Sequence, residues 1–341
     1  MRVIRSLLPA LITIASTMVV AQFSPGVFSG AESSLLHRWD PTHGVLFFRR
    51  SFLLQKTSPP LRSYYEDGSQ RGAEIDLFKD FPDAEKASVS DFAAGPAGTT
   101  VIASELIYDR GHGKNVILTY DWTGNLLRAL AIDSAEAITT DEQGDIYVLG
   151  QGNDPNPGNP PNPLLVEFDP SGRVIGRFLD SSTFKTGSDA IEDFGPGDEM
   201  VSASVMVSDE KLYIYAPSER QVLVCSLDGR ILRRAALEDV GVKIARADKV
   251  NRAAISDVAF VDENHVALYL TEHVDPEEPH SLDYSNMHTA IYLIDLTAKS
   301  FRLILRGEPG TNPAFLGTKG NQLLTLTRKG QGFDIQAHDL F

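Results

Sequence analysis

One local pattern recurs six times along this 341-residue chain: a strand, a tight polar turn and a second strand. The shared turn position falls at Gly44, Gly98, Gly144, Lys211, Asn264 and Gly320. A period of about 50 residues made only of strands and turns is typical of sheets repeated around an axis, because each sheet must bury both faces against its neighbours. The repeat therefore constrains the fold more than any other feature.

Each unit contains a second hairpin as well as the first. The clearest first hairpin is centred on the turn at residues 141–144, between an apolar run and an aromatic and β-branched run. The second hairpins have Asp-rich or Gly-rich turns at 121–124, 169–172, 227–229 and 295–298, with a looser match at 66–68. Two hairpins give four strands per unit. The sequence thus predicts an all-β fold, a six-bladed β-propeller with four-stranded antiparallel blades, over residues 35–341.

The N-terminus predicts export. Arg2 and Arg5 precede an apolar stretch at residues 7–21, which ends in Val19-Val20-Ala21. This is the pattern of a secretory signal peptide, residues 1–21, and the stretch is shorter than the roughly 20 residues that span a bilayer. We expect a periplasmic or extracellular protein with no stable membrane insertion after cleavage.

The last unit shows only three strands before the sequence stops. Residues 22–34, around 23–29, could supply the fourth strand and close the ring, since an open propeller exposes sheet edges. This closure is a hypothesis.

Charge and cysteine content exclude some classes of function. The formal net charge is −15, which argues against nucleic acid and anionic membranes as partners. Cys225 is the only cysteine, so no internal disulfide can form, and its apolar neighbours predict a buried structural thiol. Stability must then come from packing between blades.

The connections differ strongly between the two ends of the predicted blades. The turns within each hairpin are short, whereas the other connections are long: residues 104–115, 150–163, 180–200, 238–253 and 271–289. Loops beyond about 12 residues in a compact domain are usually functional or disordered. All five should lie at one end, which we therefore predict to be the binding face.

Polar residues recur seven or eight positions before the shared turn, where the innermost strands should begin. They are His37, Asp91, Glu136, Ser204, Asp257 and Asn312. These residues should surround the mouth of the central channel, and the oxygens of Asp91, Glu136, Asp257 and Asn312 would suit Ca²⁺ or Mg²⁺. Without a cation, converging carboxylates would raise one pKa and create a base. Alternatively, such residues bond to neighbouring backbone amides or channel water.

Residues 141–148 (DEQGDIYV) followed by 165–174 (LVEFDPSGRV) resemble the NHL-type six-bladed propeller repeat. That resemblance implies binding of protein or carbohydrate partners through one face. A more distant likeness to the gluconolactonase group implies a metal site, for which Glu136, Asp257 and Asn312 are the candidates. The quinone-dependent sugar dehydrogenases are also six-bladed, but this chain has no distinct cofactor motif.

Two hypotheses about function follow. The first is an exported scaffold that binds a protein, peptide or carbohydrate partner on the long-loop face. The alternative is a divalent-metal-dependent hydrolase of lactones or similar esters, with its site at the channel mouth. The repeat alone does not decide between an enzyme and a binding protein, because propellers host both.

Overall fold

The structure is a computed structural model. It describes residues 36–40, 43–49, 53–56, 60–65, 69–108, 113–132, 135–150, 163–180, 203–216, 220–237, 240, 243–244, 252–273, 287–307, 313–329 and 332–341. The predicted signal peptide (1–21), the segment 22–34 and the loosely matching turn at 66–68 lie outside these residues. Within them, no helix is long and apolar enough to cross a membrane.

The described strands form six antiparallel sheets, numbered here in chain order of their first full strand. Sheet 1 contains β1 (Leu36–Asp40), β2 (Val45–Arg49) and β4 (Arg62–Tyr64). Sheet 2 contains β3 (Leu53–Gln55), β5 (Ala84–Ala94), β6 (Gly98–Tyr108), β7 (Gly113–Asp121) and β8 (Leu126–Ala131). Sheet 3 contains β9 (Ala137–Thr140), β10 (Ile146–Leu149), β11 (Pro163–Phe168) and β12 (Val174–Asp180).

The second half of the chain continues in the same way. Sheet 4 contains β13 (Ser204–Ser208), β14 (Lys211–Ala216), β15 (Gln221–Ser226) and β16 (Ile231–Ala236). Sheet 5 contains β17 (Arg252–Phe260), β18 (His265–His273), β19 (Met287–Asp295) and β20 (Ser300–Arg306). Sheet 6 contains β21 (Ala314–Lys319), β22 (Gln322–Lys329) and β23 (Gly332–Asp339). A short helix, α1 (Leu77–Asp80), precedes β5, and Asp76 caps it by accepting a hydrogen bond from the Phe78 N–H.

This is an all-β propeller with four-stranded antiparallel blades, as the paired hairpins predict. The number of described strands differs between the sheets. Sheets 3, 4 and 5 have four strands in simple order, whereas sheet 2 has five and sheets 1 and 6 have three each among the described residues. The reason in the first unit is that β3 pairs with β5 of sheet 2, with Leu53 opposite Ser88, instead of with β2.

Apolar clusters lie between neighbouring sheets, because alternate side chains of each strand point to opposite faces. In β10, Ile146 and Val148 pack towards sheet 2, whereas Tyr147 and Leu149 pack towards sheet 4. All four are buried, and each apolar side chain so buried contributes roughly 1.5–3 kcal/mol. Both faces of a central blade are thus part of the core.

The first and last sheets also pack against each other. Trp39 and Tyr64 of sheet 1 share a buried cluster with Leu324, Leu326 and Ile335 of sheet 6. The first strands contact one another in the order β1, β5, β9, β13, β17 and β21, and β21 contacts β1. The described sheets therefore follow one another around a closed circuit.

The short turns owe their shape to aspartates that accept several local hydrogen bonds. Asp121 Oδ1 accepts from the Thr123 N–H (2.8 Å), the Thr123 hydroxyl (2.6 Å) and the Asn125 N–H (2.9 Å). Asp169 does the same with Ser171 and Arg173. The hydroxyl and amide donors stabilise the charged carboxylates, which lowers the pKa of Asp121 and of Asp169 to about 2.

Arginines of the outer strands connect neighbouring sheets at the rim. Arg128 of β8 donates to the Asp169 carbonyl of sheet 3 (3.4 Å). Arg233 of β16 donates to the Glu263 carbonyl (2.8 Å) and the Thr297 hydroxyl (2.7 Å) of sheet 5. Arg302 of β20 donates to the Leu340 carbonyl beside sheet 6. These contacts explain part of the basic character of the outer strands.

Three of the predicted long loops are partly wrong. Residues 104–108 continue β6 and 113–115 begin β7, so most of the 104–115 segment is a longer hairpin. Residues 271–273 and 287–289 likewise belong to β18 and β19, and 252–253 belong to β17. The sequence did not indicate this strand pairing, because a strand that extends beyond its neighbours needs no apolar alternation.

Substitution of Gly229 should reveal the close packing between sheets 3 and 4. A Cβ added at Gly229 would lie 2.4–2.5 Å from Phe178, including the Phe178 Cβ, in a left-handed backbone (φ 80°). We expect Gly229→Ala to cost roughly 1–2 kcal/mol from backbone strain and roughly 1–3 kcal/mol more from overpacking in urea unfolding. Gly320→Ala is the matched control, since Gly320 is also left-handed (φ 53°) but has nothing within 4 Å of an added Cβ. Equal losses would show that Phe178 does not resist the methyl group.

The aspartate turns predict a specific loss of stability in acid. Because the folded-state pKa of Asp121 and Asp169 is lowered to about 2, their stabilising contribution is present above the unfolded value of about 3.9. It is lost as the pH falls from there through about 2. Asp121→Asn with Asp169→Asn keeps an acceptor oxygen in each turn but does not titrate. Urea unfolding from pH 5 to about pH 2 should show a steeper loss for the parent chain than for this variant. Parallel curves would contradict the assignment.

Candidate functional site

The candidate site lies where the six first strands meet. Neighbouring first strands belong to different sheets, so each first strand has a hydrogen-bonded strand on one side only, except that β5 also pairs with β3 through residues 86–88. The backbone groups on the other edge still require hydrogen-bond partners when they are buried. Polar side chains near this edge are therefore candidates both for structural bonding and for ligand binding.

Asp91 shows the structural use clearly. It is buried, and it directly follows a β-bulge at which the register of β5 against β6 shifts between Val89 and Asp91. Its Oδ1 accepts from the Phe92 N–H (2.9 Å) and its Oδ2 accepts from the Ile138 N–H of sheet 3 (2.8 Å). The carboxylate thus joins the first strands of two sheets, which is the backbone-bonding alternative raised by the sequence.

Other side chains make similar bonds between first strands. Asp40 Oδ2 accepts from the Ala94 N–H (2.8 Å), and Thr139 Oγ1 accepts from the Val207 N–H (3.4 Å). The hydroxyls of Thr140 and Thr318 donate to carbonyls of the preceding sheets. Sequence reasoning missed these residues, although Asp40 and Thr140 share a signal: each lies four positions before its turn glycine.

Asp257 occupies the corresponding place in sheet 5. It also follows a bulge, between Ile255 and Asp257, and its Oδ1 accepts from the Val258 N–H (2.7 Å). Burial raises the pKa of Tyr215 and of Tyr269, and the negative charge of Asp257 raises both further. Asp257 is half-buried, so its carboxylate lies close to two tyrosines at a partly open position.

The remaining candidates have varied positions. Glu136 is half-buried just before β9, and its N–H donates to the Leu149 carbonyl (2.8 Å). Ser204 begins β13 opposite Tyr215 and is half-buried. His37 lies in β1 opposite Phe48, but its side chain is outside the described part of the structure, as is the whole of Asn312.

The order of the strands separates these candidates around the ring. Asp91 and Glu136 lie on or beside adjacent first strands, β5 and β9. Asp257 lies on β17, which is three strands from β5 in either direction. Among the described residues, no group of three or more His, Cys, Asp or Glu side chains is placed to hold a metal ion.

The first hairpins of two sheets extend beyond the first hairpins of the others at this end. The hairpin of β5 and β6 and the hairpin of β17 and β18 both continue past the bulges near Asp91 and Asp257, and sheets 2 and 5 are opposite in the strand order. The end of the sheets that carries these extensions is called the long-loop face below. Sequence patterns did not indicate the extensions.

A buried ion pair supports the extension of sheet 5. Glu272 is fully buried and accepts from Arg306 through Nε (2.8 Å) and Nη2 (3.1 Å), and from the Tyr292 hydroxyl (2.9 Å). Arg306 Nη2 also donates to that hydroxyl oxygen (2.7 Å). Removing one member of such a group would leave a buried charge without its partner, which is strongly destabilising. The group therefore holds β18, β19 and β20 together at this end of sheet 5.

Comparisons with known proteins do not assign a family. No family model matches the chain, and no curated protein matches it. The NHL resemblance is therefore not confirmed beyond the β-propeller itself. Similar solved structures include a candidate exported protein of Bacteroides fragilis, with 12% identity over 90% of this chain and 83% of that chain, at a TM-score of 0.46.

Two further structures have the same level of similarity. The periplasmic gluconolactonase PpgL of Pseudomonas aeruginosa shows 12% identity over 94% of this chain and 98% of that chain, at a TM-score of 0.42. A chain of the nidogen/laminin complex shows 12% identity over 81% and 80%, at a TM-score of 0.40. Likeness at this level transfers no activity or ligand to this chain.

Substitutions of Asp91 should affect stability first. Asp91→Ala removes the carboxylate that accepts from the buried N–H groups of Phe92 and Ile138, so we expect a loss of about 2–4 kcal/mol in urea unfolding. Asp91→Asn keeps one acceptor oxygen and should lose less. Calorimetry with Ca²⁺ and Mg²⁺ is the second measurement. Metal binding that disappears in Asp91→Asn at unchanged stability would show that this carboxylate serves a ligand instead of the backbone.

Proposed function

We propose that the protein is an exported propeller scaffold that binds a protein, peptide or carbohydrate partner on the long-loop face. The observation that carries this proposal is the pair of long first hairpins on sheets 2 and 5, which are opposite each other in the order of the first strands. Loops on a rigid scaffold are where binding residues concentrate. The Glu272–Arg306–Tyr292 group gives one of these hairpins a firm base.

The proposed architecture is a ring of six blades. Its support is the series of apolar clusters between successive sheets, including the one that joins sheet 6 to sheet 1. We further propose that residues 1–21 are a signal peptide, that 35–341 form the propeller, and that 22–34 pair with the outer edge of sheet 6. Export would place the protein in the periplasm or outside the cell.

The alternative is a divalent-metal-dependent lactonase or esterase at the channel mouth. It would use Asp91, Glu136, Asp257 and Asn312 with Ca²⁺ or Mg²⁺. Asp257 is the residue that favours it, because this carboxylate lies near Tyr215 and Tyr269 at a partly open position. Calorimetry showing equal Ca²⁺ and Mg²⁺ heats for the parent chain and Asp257→Ala would remove it.

The scaffold proposal is tested by replacing the connections of the long-loop face. Residues 151–162 and 274–286 would each be exchanged for Gly-Ser segments of equal length. The parent chain and the variants would be screened against immobilised peptide and glycan libraries. We expect a bound ligand whose affinity falls at least tenfold in one or both variants, since the binding groups would be removed.

A control variant changes the opposite face. Glu142 and Glu210 are exposed in short turns, and their replacement by Gln should leave the affinity unchanged. The proposal would be contradicted if every library ligand bound the parent chain and both loop variants with equal affinity.

A further inference from the structure

One short pattern is repeated on the outer strands of two adjacent sheets. Residues 173–177 (RVIGR) cover the start of β12 in sheet 3, and residues 230–234 (RILRR) cover the start of β16 in sheet 4, with Arg173 and Arg230 directly before the strands. In each, an arginine precedes two aliphatic residues and another arginine follows. We call this surface the rim belt; it comprises Arg173, Val174, Ile175, Arg177, Arg230, Ile231, Leu232 and Arg234.

A β-bulge in each outer strand exposes both aliphatic side chains. Phe168 is opposite Val174 and Glu167 is opposite Gly176, so Ile175 is the extra residue in β12. In β16, Leu232 is the extra residue in the same way, between Ile231 and Arg233. In a regular strand, consecutive side chains point to opposite faces of the sheet, so one of each pair would point inwards. The extra residue of a bulge interrupts this alternation, and both aliphatic side chains are exposed.

The exposure is unusual for aliphatic residues. The exposed fractions are 38% for Val174, 45% for Ile175, 36% for Ile231 and 47% for Leu232. A cluster of exposed apolar side chains, repeated on neighbouring sheets, marks an interaction surface more often than isolated exposed residues do.

The rim belt is also basic in a chain whose formal net charge is −15. Arg173 has a side chain that is 77% exposed although it pairs with Asp169, and Arg177, Arg230 and Arg234 are exposed. Asp180, at the end of β12, is the one acidic residue within the two strands. Arg128 and Arg302 on other outer strands bond to neighbouring sheets instead.

We propose that the rim belt binds an anionic lipid surface. Its arginines complement lipid phosphates, and its aliphatic pairs contact the acyl region, where a sugar polymer offers no apolar partner. The same motif on two sheets requires a partner with the same chemistry at both places, which a bilayer provides. Negative charge elsewhere on the molecule is screened beyond about 8 Å at physiological ionic strength.

This proposal is independent of partner binding on the long-loop face, because the belt lies on the outer strands. The experiment measures partition of the full chain onto phosphatidylcholine vesicles with and without phosphatidylglycerol. Residues 7–21 are apolar and common to all variants, so the result is read as a difference between variants.

We expect Arg177→Glu with Arg230→Glu to lower partition onto the phosphatidylglycerol vesicles at least about twentyfold, since each basic residue near an anionic surface contributes about a factor of five. Ile175→Ser with Leu232→Ser should lower it about tenfold. Neither pair should shift the urea midpoint greatly, because all four side chains are exposed. Binding by the parent chain should weaken with added salt.

Matched controls change similar residues elsewhere. Lys79→Glu with Lys86→Glu gives the same change of net charge on exposed sites, and Leu127→Ser removes an aliphatic residue that is 52% exposed on sheet 2. Partition that falls equally in controls and belt variants would overturn the proposal, as would equal binding to both vesicle types. Retention of the parent chain on immobilised poly-L-glutamate without vesicle binding would instead assign the belt to an acidic polypeptide.

Discussion

Each first strand has an open edge at the most crowded place in the molecule, on β5 outside the three residues that pair with β3, and the rest of the architecture depends on how that edge is satisfied. Side chains of neighbouring sheets do this: Asp40 accepts from Ala94, and Asp91 accepts from Ile138. Each bond fixes two sheets at the ring centre, while alternate apolar residues fill the space between their faces. Arg233 repeats the principle at the rim by donating to sheet 5. Neighbouring sheets are therefore held at both radii, which leaves the connections at one end free to vary.

Local chemistry made much of the fold predictable. The turn residues at the shared position and the aspartate turns, such as that of Asp121, are set by interactions within four residues, so sequence alone places them. The buried Cys225 was also predicted correctly from its apolar run, and burial raises its thiol pKa to about 11. Sheet membership was less predictable. Nothing local tells β3 to pair with β5, because that choice depends on two segments distant in sequence.

The candidate site shows a similar division. Asp91 and Asp257 share their spacing from the turn, and both lie within first strands directly after bulges, not at the start of those strands as the spacing predicts. Spacing could not show that the Asp91 carboxylate accepts hydrogen bonds from backbone amides of two sheets. Nor could it reveal the Glu272–Arg306 pair, whose members are far apart in sequence. A polar residue at a channel mouth has the same sequence pattern whether it bonds to protein or to a ligand, so only its partners distinguish the two cases.

Net charge was informative as an average and misleading as a description of the surface. The value of −15 includes many exposed turn carboxylates, whereas the outer strands of sheets 3 and 4 concentrate arginines beside exposed aliphatic pairs. Outer strands form the side wall of a propeller, and the long-loop face lies at one end of its axis. A molecule lying with its side wall against a lipid surface would keep that end open along the surface. Binding at the rim belt and binding at the long-loop face are therefore geometrically compatible, and neither needs the other.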